Sequence, residues 1–273
     1  MRGIFFEDVK ACAEPFASLE EGMAFVASLG LDGFQFGDYE IAAEGEVRLR
    51  DALQRHGLRA HVIHTFATLL SPDPTVHARG LEAARATVEL AARMECPYVM
   101  LAPQPRTDVA DEADRERAWA QMAEDIRTLT ALADPLGVSL CIENFSTERL
   151  PYGRIEDLIR FCETVPTLTY TFDSGNFVCT RWDPFTAYEA MRPYTALLHV
   201  KDFAPCATGE GFLCDDGGYV GGLPFGTGPF PMEAFLRLCA ADGFENRFII
   251  EHNFAATRED LRRAAALVLR YLA

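Results

Sequence analysis

The segment Val138-Ser139-Leu140-Cys141-Ile142-Glu143 is an apolar run that ends at a single carboxylate. A buried parallel strand has this form when it carries one functional side chain to the mouth of a barrel. The same form occurs in three later runs, which are 168–172 before Asp173, 196–198 before His199 and 248–250 before Glu251. Because four consecutive runs end in this way, the sequence predicts one site built from four strand ends.

Strand-like and helix-like segments alternate along the whole chain. Eight apolar runs predict strands at 3–6, 33–36, 58–66, 98–101, 138–142, 168–172, 196–200 and 248–250. Helical segments, several of them ended by a glycine cap, are predicted at 18–29, 45–56, 76–94, 112–136, 154–164, 184–191, 232–242 and 258–272. This alternation without a Ser/Gly linker predicts an α/β protein, a single-domain (β/α)8 TIM barrel spanning residues 1–273. An open doubly wound sheet is disfavoured because no G-x-G-x-x-G motif follows the first strand.

The composition argues against several classes of function. The net charge is −16, from 41 Asp and Glu against 25 Lys and Arg, whereas nucleic-acid binding draws much of its affinity from cations on phosphates. No run approaches the roughly 20 apolar residues of a membrane span. The eight cysteines are scattered without a C-x-x-C pair, which is typical of a reduced protein. We therefore expect a cytoplasmic protein that binds neither nucleic acid nor membrane.

The four residues at the strand ends are suited to a metal. Each of them alone could equally cap a helix, but the C-terminal ends of four neighbouring barrel strands converge on one half of the mouth. Three carboxylates there would repel one another strongly without a cation between them. Three oxygen donors and one imidazole suit Mn2+, Mg2+ or Co2+, with Zn2+ as a further alternative. We expect one divalent ion, with Mn2+ as the first choice.

The chain resembles the xylose isomerase-like TIM barrel superfamily, the sugar isomerase/epimerase group that includes the AP endonuclease 2 family. The resemblance spans the whole chain and rests on C-I-E-N at 141–144, F-D-S-G-N at 172–176, L-H-V-K-D at 198–202, P-F-G-T-G-P at 224–229 and I-E at 250–251. It implies that Glu143, Asp173, His199 and Glu251 are the metal ligands. It also implies that Glu143 and Glu251 are the catalytic acid/base residues, on opposite faces of the substrate carbon.

The activity implied by the resemblance is that of a metal-dependent isomerase or epimerase in carbohydrate metabolism. Its substrate would be a small polyhydroxy ketone or aldehyde, derived from a sugar or polyol, that transfers a proton through a metal-stabilised enediolate. One alternative is a metal-dependent dehydratase, a lyase of the inosose or 3-dehydroshikimate type, and another is a non-catalytic metal-binding barrel. A DNA-repair endonuclease is disfavoured because residues 204–250 contain no histidine for a trinuclear zinc cluster.

Side chains near other strand ends are candidate substrate contacts. His64 lies at an odd spacing from His61 on the third strand, so only one of the two faces the barrel interior. Gln104 follows the fourth strand, Asn176 follows the sixth, and Lys201 is the cation close behind the seventh. Many epimerases of the superfamily have a histidine where Asn176 stands, and an amide can bind a hydroxyl but is a poor metal ligand. We expect His64, Gln104, Asn176 and Lys201 to contact the substrate, although His64 and Gln104 suit structural roles equally well.

Residues 204–230 form a long Gly- and Pro-rich stretch without periodicity, directly after the strand that carries His199. A stretch of this length is too long for an ordinary connection between a barrel strand and its helix. We expect it to act as a lid over the substrate or as a contact arm of a homo-oligomer. Asp202, just before this stretch, is expected to orient a neighbouring metal ligand.

Overall fold

The computed structural model describes residues 1–105, 107–180 and 182–273. Its strands are β1 (Arg2–Phe5), β2 (Gly33–Gly37), β3 (Arg59–Thr65), β4 (Tyr98–Leu101), β5 (Ser139–Glu143), β6 (Thr169–Asp173), β7 (Thr195–Val200), β8 (Phe203–Pro205), β9 (Phe212–Leu213), β10 (Tyr219–Gly222) and β11 (Phe248–Ile250). Its helices are α1 (Phe6–Lys10), α2 (Leu19–Ser28), α3 (Asp38–Glu44), α4 (Glu46–His56), α5 (Pro74–Arg93), α6 (Glu112–Ala133), α7 (Ile155–Thr164), α8 (Asn176–Thr180), α9 (Pro184–Met191), α10 (Met232–Ala241) and α11 (Arg258–Leu272). Short 3₁₀ turns follow α6 at Asp134–Leu136 and α9 at Arg192–Tyr194.

Eight of these strands close into one barrel of parallel strands. Their order around the barrel is β1, β2, β3, β4, β5, β6, β7 and β11, and β11 pairs again with β1. All eight predicted strands lie in this barrel, with ends that differ from the prediction by at most one residue. The predicted (β/α)8 TIM barrel is confirmed.

The longer helices begin and end where the sequence provides caps. At the start of α2, the Ser18 hydroxyl accepts a hydrogen bond of 3.2 Å from the backbone N–H of Glu21. At the ends of α4 and the turn after α6, Gly57 and Gly137 adopt left-handed φ angles of 66° and 71°. The short helices α1, α3 and α8 were not predicted, because five to seven residues carry little periodic signal.

No helix in the described ranges combines the length and apolarity needed to cross a lipid bilayer.

The interior of the barrel is built in layers by the alternation of side chains along each strand. One buried cluster contains a residue from each of five strands: Val62, Met100, Cys141, Leu197 and Ile249. Residues two apart on a strand face the same side, so the next inward positions lie one layer nearer the mouth. On four of these strands that position is occupied by His64, Glu143, His199 and Glu251. An apolar plug therefore supports a polar layer at the C-terminal ends of the strands.

Residues 204–230 are more regular than the sequence predicted. The short strands β8, β10 and β9 pair in that order into an antiparallel sheet. The sequence did not indicate these strands, since strands of two to four residues leave almost no periodic signal. Phe203 and Val220 of this sheet are buried against Cys179, whereas Phe212 and Leu213 are 38% and 46% exposed. We call this unit the lid sheet.

Candidate metal centre and active site

The four strand ends bring Glu143, Asp173, His199 and Glu251 together at the mouth of the barrel. One ligand-type atom from each residue lies within 4.8 Å of the others. The Nδ1 atom of His199 is 2.5 Å from Glu143 Oε1, 3.3 Å from Glu251 Oε2 and 3.8 Å from Asp173 Oδ2. Strand register produces this arrangement, because Asp173 pairs with His199 and the backbone N–H of Glu251 donates to Val200 O. The four residues that the sequence predicted as a set form one cluster.

The orientation of His199 is fixed by Gln35, a residue that sequence reasoning missed. The Nε2 atom of His199 lies 2.8 Å from Gln35 Oε1 and donates to it, which leaves Nδ1 toward the carboxylates. The amide nitrogen of Gln35 is 3.4 Å from His64 Nδ1, so Gln35 links the two histidines. A signal was present in the sequence, because Gln35 alternates with the buried core residues Phe34 and Phe36 and must face the barrel interior.

The cluster holds more carboxylates than cations. Glu143, Asp173 and Glu251 lie around His199 and Lys201, and all five side chains are buried or nearly so. Burial raises the pKa of Asp173 to about 8. Burial alone would lower the pKa of His199, but the adjacent carboxylate of Glu143 raises it to about 10. A protonated Asp173 and an imidazolium at His199 therefore bring the cluster to neutrality at neutral pH.

Lys201 is held inside the cluster by Glu251 and by three neighbouring residues of β6 and the turn after it. Its Nζ atom is 2.8 Å from Asp173 Oδ2 and 2.7 Å from Glu251 Oε1. The Ser174 hydroxyl donates to Lys201 O at 3.0 Å and accepts from its backbone N–H at 3.1 Å. Gly175 leaves space for the Lys201 side chain, since a Cβ at that position would overlap Lys201 Cγ. The F-D-S-G-N motif thus positions the lysine as well as Asp173.

The cluster fits one divalent cation. Lys201 Nζ is the donor beside Asp173 Oδ2, and among the described residues the buried atom Glu251 Oε2 accepts no hydrogen bond. A cation that replaced the extra protons on Asp173 and His199 would preserve the charge balance, because three carboxylates would face Lys201 and two positive charges. The donor set of three carboxylates and one imidazole suits such ions. These residues therefore form a candidate metal site.

A cavity of about 490 Å³ opens directly above the cluster. Glu143, Glu251 and Lys201 line it, whereas Asp173 and His199 are fully or almost fully buried beneath the surface of the cavity. Its volume lies in the ~300–1,000 Å³ range of small-molecule sites. The two glutamates thus have access to a ligand.

Two of the other predicted substrate contacts line this cavity and one does not. His64 lines it, and burial lowers the pKa of His64 to about 4, so its ring is neutral at physiological pH. Asn176 lines it as well, and its side-chain amide donates to Asn144 O at 2.8 Å. Gln104 is not among the described residues that line the cavity. Its backbone N–H donates a hydrogen bond to Ala67 O.

Two further polar residues have structural roles. His61 Nε2 is 2.6 Å from Asp32 Oδ1, which agrees with the expectation that only one histidine of β3 faces the cavity. Asp202 Oδ2 accepts hydrogen bonds from the backbone N–H groups of Gly226 and Gly228, at 2.9 and 3.3 Å. The prediction that Asp202 orients a metal ligand is wrong, because its carboxylate anchors the glycine-rich turn after the lid sheet.

Residues 23–272 match the model of the xylose isomerase-like TIM barrel family. The chain belongs to this family. The match covers most of the chain, including all four residues of the candidate metal site. No curated protein matches the sequence significantly.

Solved structures of the same architecture resemble the chain over nearly its full length. A xylose isomerase-like TIM barrel protein from Mycobacterium smegmatis in complex with magnesium has 21% identity and a TM-score of 0.69, over 93% of this chain and 89% of that one. D-psicose 3-epimerase from Clostridium cellulolyticum H10, solved with D-tagatose, has 16% identity and a TM-score of 0.75, over 100% and 99%. The IolI protein with a bound zinc atom has 16% identity and a TM-score of 0.74, over 100% of both chains. At these low sequence identities, the structural similarity shows the fold alone.

Proposed function

We propose that this protein is a divalent-metal-dependent isomerase or epimerase of a small polyhydroxy ketone or aldehyde. Glu143, Asp173, His199 and Glu251 would hold the metal, and Glu143 and Glu251 would also move the proton. Family membership supports this proposal, as do two structural neighbours, an epimerase solved with a sugar and a barrel with bound zinc.

The main support for the proposal is that the four acidic and imidazole residues lie at two depths, two of them behind the cavity surface and two of them lining it. Asp173 and His199 are 0% and 1% exposed and lie behind the cavity surface, which suits residues that only bind a metal. Glu143 and Glu251 belong to the same cluster but also line the cavity. They come from β5 and β11, with β6 and β7 between them, so they approach a ligand from different sides. This is the arrangement that an acid/base pair requires.

The chemistry divides between the metal and the side chains. When bound, the metal would supply a Lewis acid for the negative charge that develops on the substrate oxygens. One glutamate removes the proton from the carbon next to the carbonyl, and a carboxylic acid returns a proton to the new position. Lys201 fixes the carboxylate of Glu251 through its ion pair, while neutral His64 and the amide of Asn176 offer hydrogen bonds to hydroxyls. Gln104 is left out of this set.

Several finer assignments belong to the same proposal. We infer Mn2+ as the native ion, with Mg2+, Co2+ or Zn2+ as alternatives, because oxygen donors predominate. The scattered cysteines favour a cytoplasmic location for the protein. The proposed activity would place the protein in carbohydrate metabolism. We further infer that residues 1–273 act as one catalytic domain, with the lid sheet as a cover or a homo-oligomer contact. Shortening the lid sheet separates these two roles, because loss of turnover without loss of assembly indicates a cover.

The proposal is tested with Glu143→Gln and Glu251→Gln. Glutamine keeps the shape and one oxygen donor but cannot accept a proton, so each variant should retain metal and lose about 10²- to 10⁴-fold in turnover. Turnover is measured on a panel of ketoses and aldoses in deuterated water, where an isomerase or epimerase incorporates solvent deuterium at the reacting carbon. Glu89→Gln is the matched control, because Glu89 is exposed on α5 and is not among the described residues that line the cavity.

The possible results of this experiment distinguish the proposed function from its alternatives. Full turnover in a metal-loaded Gln variant rules out that glutamate as the acid/base group. Loss of water from the substrate, seen as new enone absorbance, supports the dehydratase alternative. Metal-loaded protein that exchanges no proton on any substrate of the panel supports the non-catalytic alternative.

A further inference from the structure

A row of aromatic rings runs along one wall of the cavity, from the metal centre to the surface. The ring centroid of Phe5 is 5.2 Å from that of His199 and 5.7 Å from that of His64. The centroid of His64 is in turn 5.2 Å from Phe66, and Tyr39 stacks on Phe66 at 6.1 Å with an angle of 20°. Phe5, His64 and Phe66 all line the cavity. The row therefore connects the inner polar end of the cavity with its mouth.

The outer end of the row is open to solvent. Phe66 is 44% exposed and Tyr39, which supports it from behind, is 45% exposed. Phe212 of the lid sheet also lines the cavity and is 38% exposed. Rings that line a binding cavity while remaining this exposed are positioned to cover the flat apolar face of a ligand.

The size of the cavity leaves room for more than one ring. A volume of about 490 Å³ is within the ~300–1,000 Å³ of sites that enclose drug-sized ligands. A monosaccharide placed at Glu143 and Glu251 would fill the inner part of this cavity. It would leave Phe66 and Phe212 at the mouth in water.

The charge of the lining disfavours an anionic substituent. In the described part of the chain, the charged residues of the lining are Glu7, Asp8, Glu143, Glu251 and Lys201. Lys201 is the single lysine or arginine among them, and it is already paired with Asp173 and Glu251. Phosphate and carboxylate groups bind where arginine or lysine side chains can turn toward them. An uncharged ligand fits this lining better.

We propose that the substrate is an uncharged compound of two rings, such as a glycoside whose reacting ring carries a ketone at a carbon other than the anomeric one. A polyhydroxy carbonyl ring would bind at Glu143 and Glu251, and a second ring, sugar or aromatic, would stack on Phe66 and Phe212. This inference rests on the proposed function, because it places the reacting ring at the metal centre.

The test compares binding of phenyl β-D-glucopyranoside and methyl β-D-glucopyranoside to the Mn2+-loaded protein by isothermal titration calorimetry. Both compounds have a hydroxyl in place of the ketone and therefore serve as unreactive analogues. The phenyl compound should bind about tenfold more tightly, since it adds a ring that can stack. Phe66→Ala should remove this preference, whereas Phe66→Tyr should keep it. Leu213→Ala is the matched control, because Leu213 is 46% exposed on the same lid sheet but is not among the described lining residues.

The outcomes separate this inference from the proposed function. Equal binding of the two glucosides, no binding of either, or a preference that survives Phe66→Ala overturns the inference. Tighter binding of glucose 6-phosphate than of the phenyl glucoside overturns the uncharged class. Metal content is measured on the same samples. A metal-loaded protein that does not prefer the phenyl glucoside refutes only the proposed binding of a second ring. A protein that takes up no metal refutes the proposed function. If Phe66→Ala does not fold, Phe212→Ala gives the same comparison.

Discussion

In the half of the barrel mouth built by β5, β6, β7 and β11 the inward side chains are charged. In the half built by β1, β2 and β3 the inward side chains Phe5, Gln35 and His64 are aromatic or neutral, and we call this the neutral half. Two histidines show the difference directly. Burial lowers the pKa of His64 to about 4, but at His199 the effect of burial is outweighed by the Glu143 carboxylate, and the pKa rises to about 10. The side chain of Gln35 contacts both rings and therefore lies between the two environments.

Burial alone does not decide the charge of a group in this site. Both histidines are almost fully buried, at 3% and 1% exposure, and therefore lose a similar amount of hydration. The sign of the shift depends on whether a carboxylate lies within hydrogen-bond distance. The cluster of Glu143, Asp173, His199 and Glu251 can therefore store protons or bind a cation, whereas Gln35 and neutral His64 can only pack and donate or accept hydrogen bonds.

The largest expected difference between the halves is in metal binding. Asp173→Ala or His199→Ala should abolish stoichiometric metal, because each removes one of four donors that lie within 4.8 Å of one another. His64→Ala, in the neutral half, should retain it. Elemental analysis of the purified variants measures this. Undiminished metal in both cluster variants would refute the site.

Removing the lysine from the charged half should make folding depend on metal. Lys201→Met leaves Asp173 and Glu251 without their shared cation, which should cost about 3 kcal/mol of unfolding free energy in the presence of a chelator. Added Mn2+ should restore more stability to this variant than to the wild type. Urea denaturation with and without metal measures both effects. Equal stability of the two proteins in chelator would contradict the role of Lys201.

Metal binding should release protons from the charged half. At pH 7, the raised pKa values of Asp173 and His199 keep both groups largely protonated, and a metal ligand must be deprotonated. About two protons should therefore leave for each ion bound. Calorimetric titrations in buffers of different ionisation enthalpy count these protons. Binding without proton release would mean that the cluster balances its charge in another way.

The smallest expected effect lies at Glu40, in the helix α3 that follows β2 of the neutral half. Its carboxylate accepts the backbone N–H of Gly37 at 2.8 Å and so caps α3, and burial raises its pKa from 4.5 to about 7. Because the folded state binds this proton more tightly, stability should fall as the pH rises from about 4.5 to 7. Glu40→Gln, which can still accept the hydrogen bond, should flatten this fall in Tm. An identical pH profile in the variant would contradict the assignment.

The barrel and its four-residue cluster could be predicted because they depend on local pattern. Each of the runs before Glu143, Asp173, His199 and Glu251 is a short apolar segment with one functional residue at its end. Barrel geometry then brings these ends together without any further information.

Other parts of the site depend on contacts between distant residues and could not be predicted in this way. Gln35 lies in the middle of β2, so a search for residues at the ends of apolar runs passes over it. The position of Lys201 depends on Ser174 and Gly175 from the turn after the neighbouring strand, which contact its backbone and leave space for its side chain. The lid sheet consists of strands too short to leave a periodic signal.

The missing side chain at Gly175 has a consequence for how this family diverges. A larger residue there would occupy the space of the Lys201 methylene groups, so a mutation at either position changes the selection acting on the other. Related sequences should therefore show the two positions changing together, with glycine at 175 wherever lysine is found at 201. A lineage that lost the glycine first would have to replace the lysine and balance the charge of its carboxylates in another way.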